Sequence, residues 1–181
     1  MSKPWKLTWI AAVLCLVILS AAPALAQATD NPISAGQKGL YAMVKNNIIR
    51  SAEKMPEENY AFMPTPDVRS FGQILGHVAD AQYMFCSAVL GEKNPAPGIE
   101  KNKTSKADLV QAIKDSVAYC DKAYDGMTDA QAAQMIKFFG QDRAKVTVLS
   151  FNTIHDMEHY GNIVTYLRLK GLVPPSSEGR K

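Results

Sequence analysis

Proline punctuates this chain so tightly that its long segments can fold in few ways. Pro56, Pro64 and Pro66 close the first long segment, Pro95 and Pro97 the second, and Pro174-Pro175 the last. A ring-locked residue without an N–H cannot sit inside a helix or a central strand, so each cluster marks a boundary. Between the clusters, apolar residues recur at threes and fours, the period of one helix face, and no strand-like alternation of useful length is visible. The spacing therefore predicts an all-α protein, a four-helix bundle in which sites are built from side chains on facing helices.

Ser34 is the predicted N-cap of the first helix, with Gln37, Tyr41, Val44, Ile48, Ala52 and Met55 on one face. Residues 57–69 read as a linker whose Tyr60, Phe62 and Met63 close one end of the core. Ser70-Phe71-Gly72-Gln73 has the form of a capping box, and it opens a second helix that runs to Gly91. Phe71, Ile74, Val78, Ala81, Phe85 and Val89 form its buried stripe, with His77, Asp80 and Met84 one position aside. After a loop over 92–103, a third helix starts at Thr104 or Ser105, buries Leu109, Ile113, Val117, Cys120 and Tyr124, and stops at Asp125-Gly126. Residues 129–139 read as a short helix broken by Gly140. The fourth long helix covers 145–170 and ends at Gly171, with Val148, Phe151 or Asn152, His155, His159, Ile163 and Tyr166 along its inner stripe.

The first 26 residues stand apart from this pattern. Lys3 and Lys6 precede an apolar run from Leu7 to Leu19, and Ala24-Leu25-Ala26 is a small-residue cleavage pattern, so the segment reads as a secretory signal peptide cut after Ala26. The apolar run is shorter than the roughly 20 residues a spanning helix needs, so membrane contact is expected only through an uncleaved signal. The expected organisation is a signal over 1–26, a leader over 27–32, the bundle over 33–175 and a polar tail over 176–181. Localisation is expected to be exported, periplasmic or secreted. Removing Lys3 and Lys6 lowers the formal charge from +3 to +1, which gives no electrostatic argument for nucleic acid.

Two cysteines remain beyond residue 26, Cys86 and Cys120, and topology decides their pairing. In an antiparallel hairpin of the second and third helices they lie about 11 residues, roughly 16 Å, apart in level, too far to bridge. If residues 92–103 instead form a crossover and the helices run parallel, the cysteines reach one level and can join.

The chain has three histidines: His77 on the second helix, and His155 and His159 on the last. A spacing of four stacks the last two one turn apart on one face. A lone core histidine is ordinarily satisfied by one hydrogen bond, but three on inward or near-inward faces would leave several polar nitrogens unpaired at about 1–3 kcal/mol each. A shared ion removes that cost. Three imidazoles suit Zn²⁺ and accept Ni²⁺, Fe²⁺ or Cu²⁺, and three protein ligands leave a position open for water or substrate. Asp80, Asp156, Glu158 and Tyr160 are the candidates for orienting the rings, although Asp156 and Glu158 also read as the solvated face of a helix.

His155-Asp156-Met157-Glu158-His159 matches the H-x-x-E-H pattern of inverted zinc metallopeptidases, with Glu158 as general base, but no second lobe is visible to hold a peptide. Covalent c-type haem is excluded because C-x-x-C-H is absent, and non-covalent haem would leave two histidines unexplained. Gly161 lies inside the last helix, where close approach of a neighbouring helix would offset its cost of about 1 kcal/mol.

Three stretches resemble the DinB-like (DinB/YfiT-like) family of small metal-dependent bundles: residues 52–58 with Pro64-Thr65-Pro66, residues 69–80, and residues 155–171 followed by Pro174-Pro175. The resemblance implies a metal triad of His77, His155 and His159 and a divalent transition ion, zinc or nickel foremost. It also implies relatives that use bacillithiol, mycothiol or glutathione as S-transferases or as a maleylpyruvate isomerase. Where relatives often carry His-Arg-Gly-Gln, this chain has His159-Tyr160-Gly161-Asn162. The function expected is that of an exported metal-binding protein acting as a thiol-dependent transferase or metal-dependent hydrolase on a small molecule. The alternative is a non-catalytic metal-binding or stress-related module, and a homodimer is compatible with either.

Overall fold

The computed structural model describes residues 31–179. The predicted signal peptide, its cleavage point and the end of the polar tail lie outside the described residues. Four long helices dominate: α1 (Pro32–Lys54), α2 (Phe71–Leu90), α4 (Lys106–Asp125) and α6 (Lys145–Leu169). A four-residue helix α3 (Ile99–Asn102) lies between α2 and α4, and α5 (Asp129–Ala132) precedes a hairpin of β1 (Met135–Phe138) and β2 (Gln141–Ala144). No helix among the described residues is long and apolar enough to cross a membrane.

Pairwise contacts give the helix directions. α1 runs against α4, since Lys38 meets Asp125 at 2.9 Å while Lys106 donates to the Met55 carbonyl at 2.8 Å. α2 runs against α6, with Phe71 beside Tyr166 (ring centroids 6.5 Å apart) and Gln82 donating to Asp156 at 3.1 Å. α2 and α4 are parallel: Leu109 lies over Gly72, Ser116 donates to Gln82 at 3.0 Å, and Cys86 is joined to Cys120. α1 and α6 are also parallel, as Gln37 donates to Thr153 at 2.8 Å and Lys54 to the Val173 carbonyl at 2.8 Å. The bundle is thus up-down-down-up, and the segment after α2 is a crossover rather than a hairpin turn. That selects the bridged alternative for the cysteines, whose Cα atoms are 5.2 Å apart.

Helix ends follow local chemistry, with one change at the start of the bundle. The capping box at Ser70 forms with both bonds, Gln73 N–H to Ser70 at 3.2 Å and Ser70 N–H to Gln73 at 2.8 Å. Ser105 caps α4 through the Asp108 N–H at 3.1 Å, and Gly91 takes the left-handed conformation that ends α2 (φ 74°). α1 begins at Pro32, ahead of the expected Ser34 cap. A more distant carboxylate replaces that serine: Asp129 accepts from Ile33 N–H at 3.2 Å and Ser34 N–H at 2.8 Å. An anion at a helix N-terminus satisfies orphan donors and complements the dipole.

The predicted helix over 129–139 is corrected. Only Asp129–Ala132 are helical, capped by Thr128 with Gln131, and Met135 then pairs with Ala144 and Phe138 with Gln141 in an antiparallel hairpin. Phe139 and Gly140, both at positive φ (48° and 74°), form the kind of two-residue turn whose twist suits a hairpin. Phe138 anchors it, buried against Phe85 with ring centroids 5.3 Å apart.

Between Phe151 and Asn152, the bundle buries the asparagine, and Phe151 meets the Arg143 guanidinium at 5.1 Å. In the linker, Tyr60 is buried and donates to the Ala52 carbonyl at 2.6 Å, whereas Met63 is exposed. Pro175–Ser177 form a short 3-10 turn, and Glu178 pairs with Arg50 and Lys54 of α1.

The disulfide closes a loop across 34 positions, which by chain entropy should stabilise the domain by about 3–4 kcal/mol. Urea unfolding of the protein beginning at Gln27 should show that difference between oxidised and reduced samples. Thiol titration of the oxidised, denatured protein should find no free cysteine; two titratable thiols would remove the bridge.

Candidate metal centre

α2 and α6 cross where His77 faces His155 and His159. His155 Nε2 lies 3.0 Å from His77 Nε2 and 3.1 Å from His159 Nε2, and the ligand nitrogens of all three rings fall within 4.8 Å of one another. The antiparallel packing of α2 on α6 brings together all three ligands predicted from the sequence.

Hydrogen bonding alone does not satisfy this arrangement. An imidazole nitrogen carries either one proton or one in-plane lone pair, so His155 Nε2 can serve one neighbour properly and not two. A cation with metal–nitrogen bonds of about 2.0–2.1 Å and tetrahedral angles places its ligand nitrogens about 3.3 Å apart, close to the spacing seen. The three residues thus fit a transition ion.

The rings are also held in the form a metal needs. Burial, reinforced by the neighbouring His159 and His77 and by the Arg69 charge, pushes the His155 pKa down to about 3. Burial and His77 lower that of His159 as well, against the opposing pull of Glu158. Both are neutral at pH 7, with Nε2 available for coordination.

A carboxylate missed by the sequence reading supports His77. Glu100, on α3, lies with Oε2 3.3 Å from His77 Nδ1 and Oε1 2.8 Å from Arg69 Nε. A proton on Nδ1 directed to a carboxylate leaves Nε2 as the ligand, a common outer contact of metal-bound histidine. Asp80 builds this arrangement at one remove, accepting from the N–H groups of Gly98 (2.8 Å), Ile99 (2.8 Å) and Glu100 (2.9 Å). α3 then lies directly on α2: a Cβ at Gly76 would be 2.6 Å from the Glu100 Cα. The sequence signal was Gly76 itself, a glycine inside an apolar helix face, which marks close backbone approach without naming the partner. On the other side, the Asn162 amide nitrogen lies 3.4 Å from His159 Nδ1. His155 Nδ1 has no partner among the described residues.

Other candidates take different places. Asp156 is fully buried rather than solvated; burial raises its pKa well above the usual carboxylate range, and it accepts from Gln82 inside the core. Glu158 is exposed and makes no hydrogen bond to the three imidazoles, so the general-base role expected from H-x-x-E-H has no geometric support. Tyr160 donates to Ser176 at 2.8 Å, holding the C-terminal segment rather than a histidine. Gly161 is exposed with nothing within 4 Å of a Cβ position, so close helix approach does not explain it.

His159, alone of the three histidines, lines a cleft of about 850 Å³ between the 63–69 loop, α2 and α6, with Glu100, Arg69, Asn162 and Tyr166 also on its wall. A ligand position left by three imidazoles would be reached from this side.

Gly76→Ala should push α3 from α2, and Glu100→Ala should remove the His77 partner. Each should weaken metal affinity by about 10–100-fold in competition with a chromophoric chelator, while the helical circular dichroism persists. The acid limb of stability carries a second expectation. His155 is protonated near pH 6.5 when unfolded but only near pH 3 when folded, so its contribution is present above pH 6.5 and lost as pH falls toward 3. The raised pKa of Asp156 acts in the opposite sense and is common to wild type and variant. In metal-free protein, urea midpoints should therefore fall more steeply over this range for wild type than for His155→Asn.

Comparison with known proteins bears on the fold and the family. The chain is similar in fold to a DinB-like protein from Bacillus cereus ATCC 10987 (TM-score 0.69, 16% identity, covering 78% of this chain and 95% of that one). It is similar to a DinB-like protein from Bacillus subtilis as well (TM-score 0.61, 20% identity, covering 75% and 92%). A mycothiol-dependent maleylpyruvate isomerase matches with TM-score 0.59 and 14% identity over 72% of this chain and 60% of that one. No curated protein matches the chain. The sequence model of the DinB superfamily spans residues 41–163, which takes in all three histidines, and the chain belongs to that superfamily.

Proposed function

We propose that this protein is an exported metalloenzyme in which His77, His155 and His159 hold a divalent transition ion, zinc or nickel, for a thiol-dependent transferase reaction. The observation that carries the reading is the convergence of three Nε2 atoms, at 3.0 and 3.1 Å, beside an open cleft. A bound divalent ion would supply Lewis acidity, lowering the pKa of a thiol or water that enters there. The chain's own residues do the rest. Glu100 orients His77, the buried neutral rings keep Nε2 available, and the cleft wall of Arg69, Asn162 and Tyr166 receives the small molecule.

Thiol chemistry is favoured by the fold shared with the mycothiol-dependent isomerase. Export is favoured by the signal pattern over 1–26 and by the Cys86–Cys120 bridge, since disulfides persist in oxidising compartments.

Elemental analysis should find about one ion per chain in the wild type and none in His77→Ala or His159→Ala. Metal that persists in both variants would sink the site. Cobalt-loaded protein titrated with 2-mercaptoethanol should gain a sulfur-to-metal charge-transfer band in the near ultraviolet. A loaded protein that never responds to the thiol would remove the thiol chemistry and leave the metal-dependent hydrolase or the non-catalytic binder.

A further inference from the structure

The cleft beside the histidines is built asymmetrically in charge. Arg69 closes the α2 end, its backbone carbonyl held by the Tyr166 hydroxyl at 2.6 Å, so the residue is tied to both helices that carry the ligands. Its Nε donates to Glu100 Oε1 at 2.8 Å, while the other oxygen of that carboxylate faces His77. One edge of the guanidinium is thereby spent, and the terminal nitrogens have no partner among the described residues. The side chain remains 43% exposed, on the wall of the cleft. Its charge is felt at both His155 and His159.

We propose that the cleft takes a small molecule bearing one carboxylate, which pairs with the free edge of Arg69 while the reacting end of the molecule lies at the histidine centre. The assignment rests on the metal reading above and adds the substrate class. A guanidinium offers parallel N–H groups that match the two oxygens of a planar carboxylate, so its anchored Nε edge leaves a ready-made fork pointing outward. Glu100 and Asp67 are the acidic groups on the wall, and Glu100 is already shared between Arg69 and His77. One cation against two carboxylates disfavours a multiply anionic ligand, and a bound divalent ion would restore enough positive charge for a single carboxylate. Met63, Ile74 and the Tyr166 ring supply apolar surface for the chain between the carboxylate and the reacting end. Because a single carboxylate, Glu100, spans the distance from Arg69 to His77, that chain is short.

The test uses cobalt-loaded protein and two metal-binding probes that differ only at the far end: succinic acid monohydroxamate and its primary-amide counterpart. Visible-spectrum titrations should show the acid binding at least about tenfold more tightly, as expected for a charge-assisted pair. Arg69→Gln should abolish the preference, read as the ratio of the two probe affinities within each protein, and added salt should erode that ratio in the wild type. Should the glutamine variant fail to retain cobalt, Arg69→Lys carries the same comparison, with the preference reduced because lysine lacks the fork. Equal affinities for the two probes in the wild type, or a preference that survives at Arg69→Gln, would overturn the assignment. A missing thiol response alongside an intact carboxylate preference would instead remove only the thiol chemistry, so the two ideas fail separately.

Discussion

The position of α3 on α2 governs the site. α2 is 20 residues long, about 30 Å, and the chain must return along nearly that length before α4 can start beside the beginning of α2. The Asp80 carboxylate holds the end of that return by accepting three successive backbone N–H groups at 2.8–2.9 Å. Such a charged cap satisfies donors that a four-residue helix cannot satisfy internally. With α3 held there, Glu100 reaches both His77 and Arg69, and the crossover brings Cys86 and Cys120 to one level.

The rest of the core divides two kinds of buried polarity. At one level of α6, Asn152 donates to Tyr124, Thr153 accepts from Gln37 and Asp156 Oδ2 accepts from Gln82, while Asn152 Oδ1 and Asp156 Oδ1 have no partner among the described residues. One turn away, the imidazoles find mainly each other. Neighbouring imidazoles cannot all satisfy one another, and this separates a metal-binding cluster from an ordinary buried network. The same residue spacing on α6 thus serves the core at positions 152 and 156 and the histidine cluster at 155 and 159.

The four long helices were legible because each signal is local: a 3.6-residue apolar period, a Ser70 or Ser105 cap, a glycine or proline stop. The histidine triad was legible for a related reason, since His155 and His159 share a turn and His77 lies at the border of the one stripe that faces them. What escaped depended on distant partners. Asp129 capping α1 across more than 90 positions has no local signature, and neither has Glu100, which lies in what reads as loop. The first strand, Met135–Phe138, reads as the end of a helix over 129–139 because strands of four residues are too short for alternation to register. Asp156 was assigned to solvent by its residue type, yet its place on α6 faces Gln82 in the core.

The close approach at Gly76 divides the crossover into two parts with different freedom to vary. Residues 93–95 make no hydrogen bond to another element among the described residues, so changes of length there alter little beyond closure entropy. Residues 98–100 are held one by one by Asp80 and lie against bare backbone, so an insertion there would shift Glu100 by a whole register step. Natural variants of this chain should accordingly differ in length before Gly98 and hold their length after it.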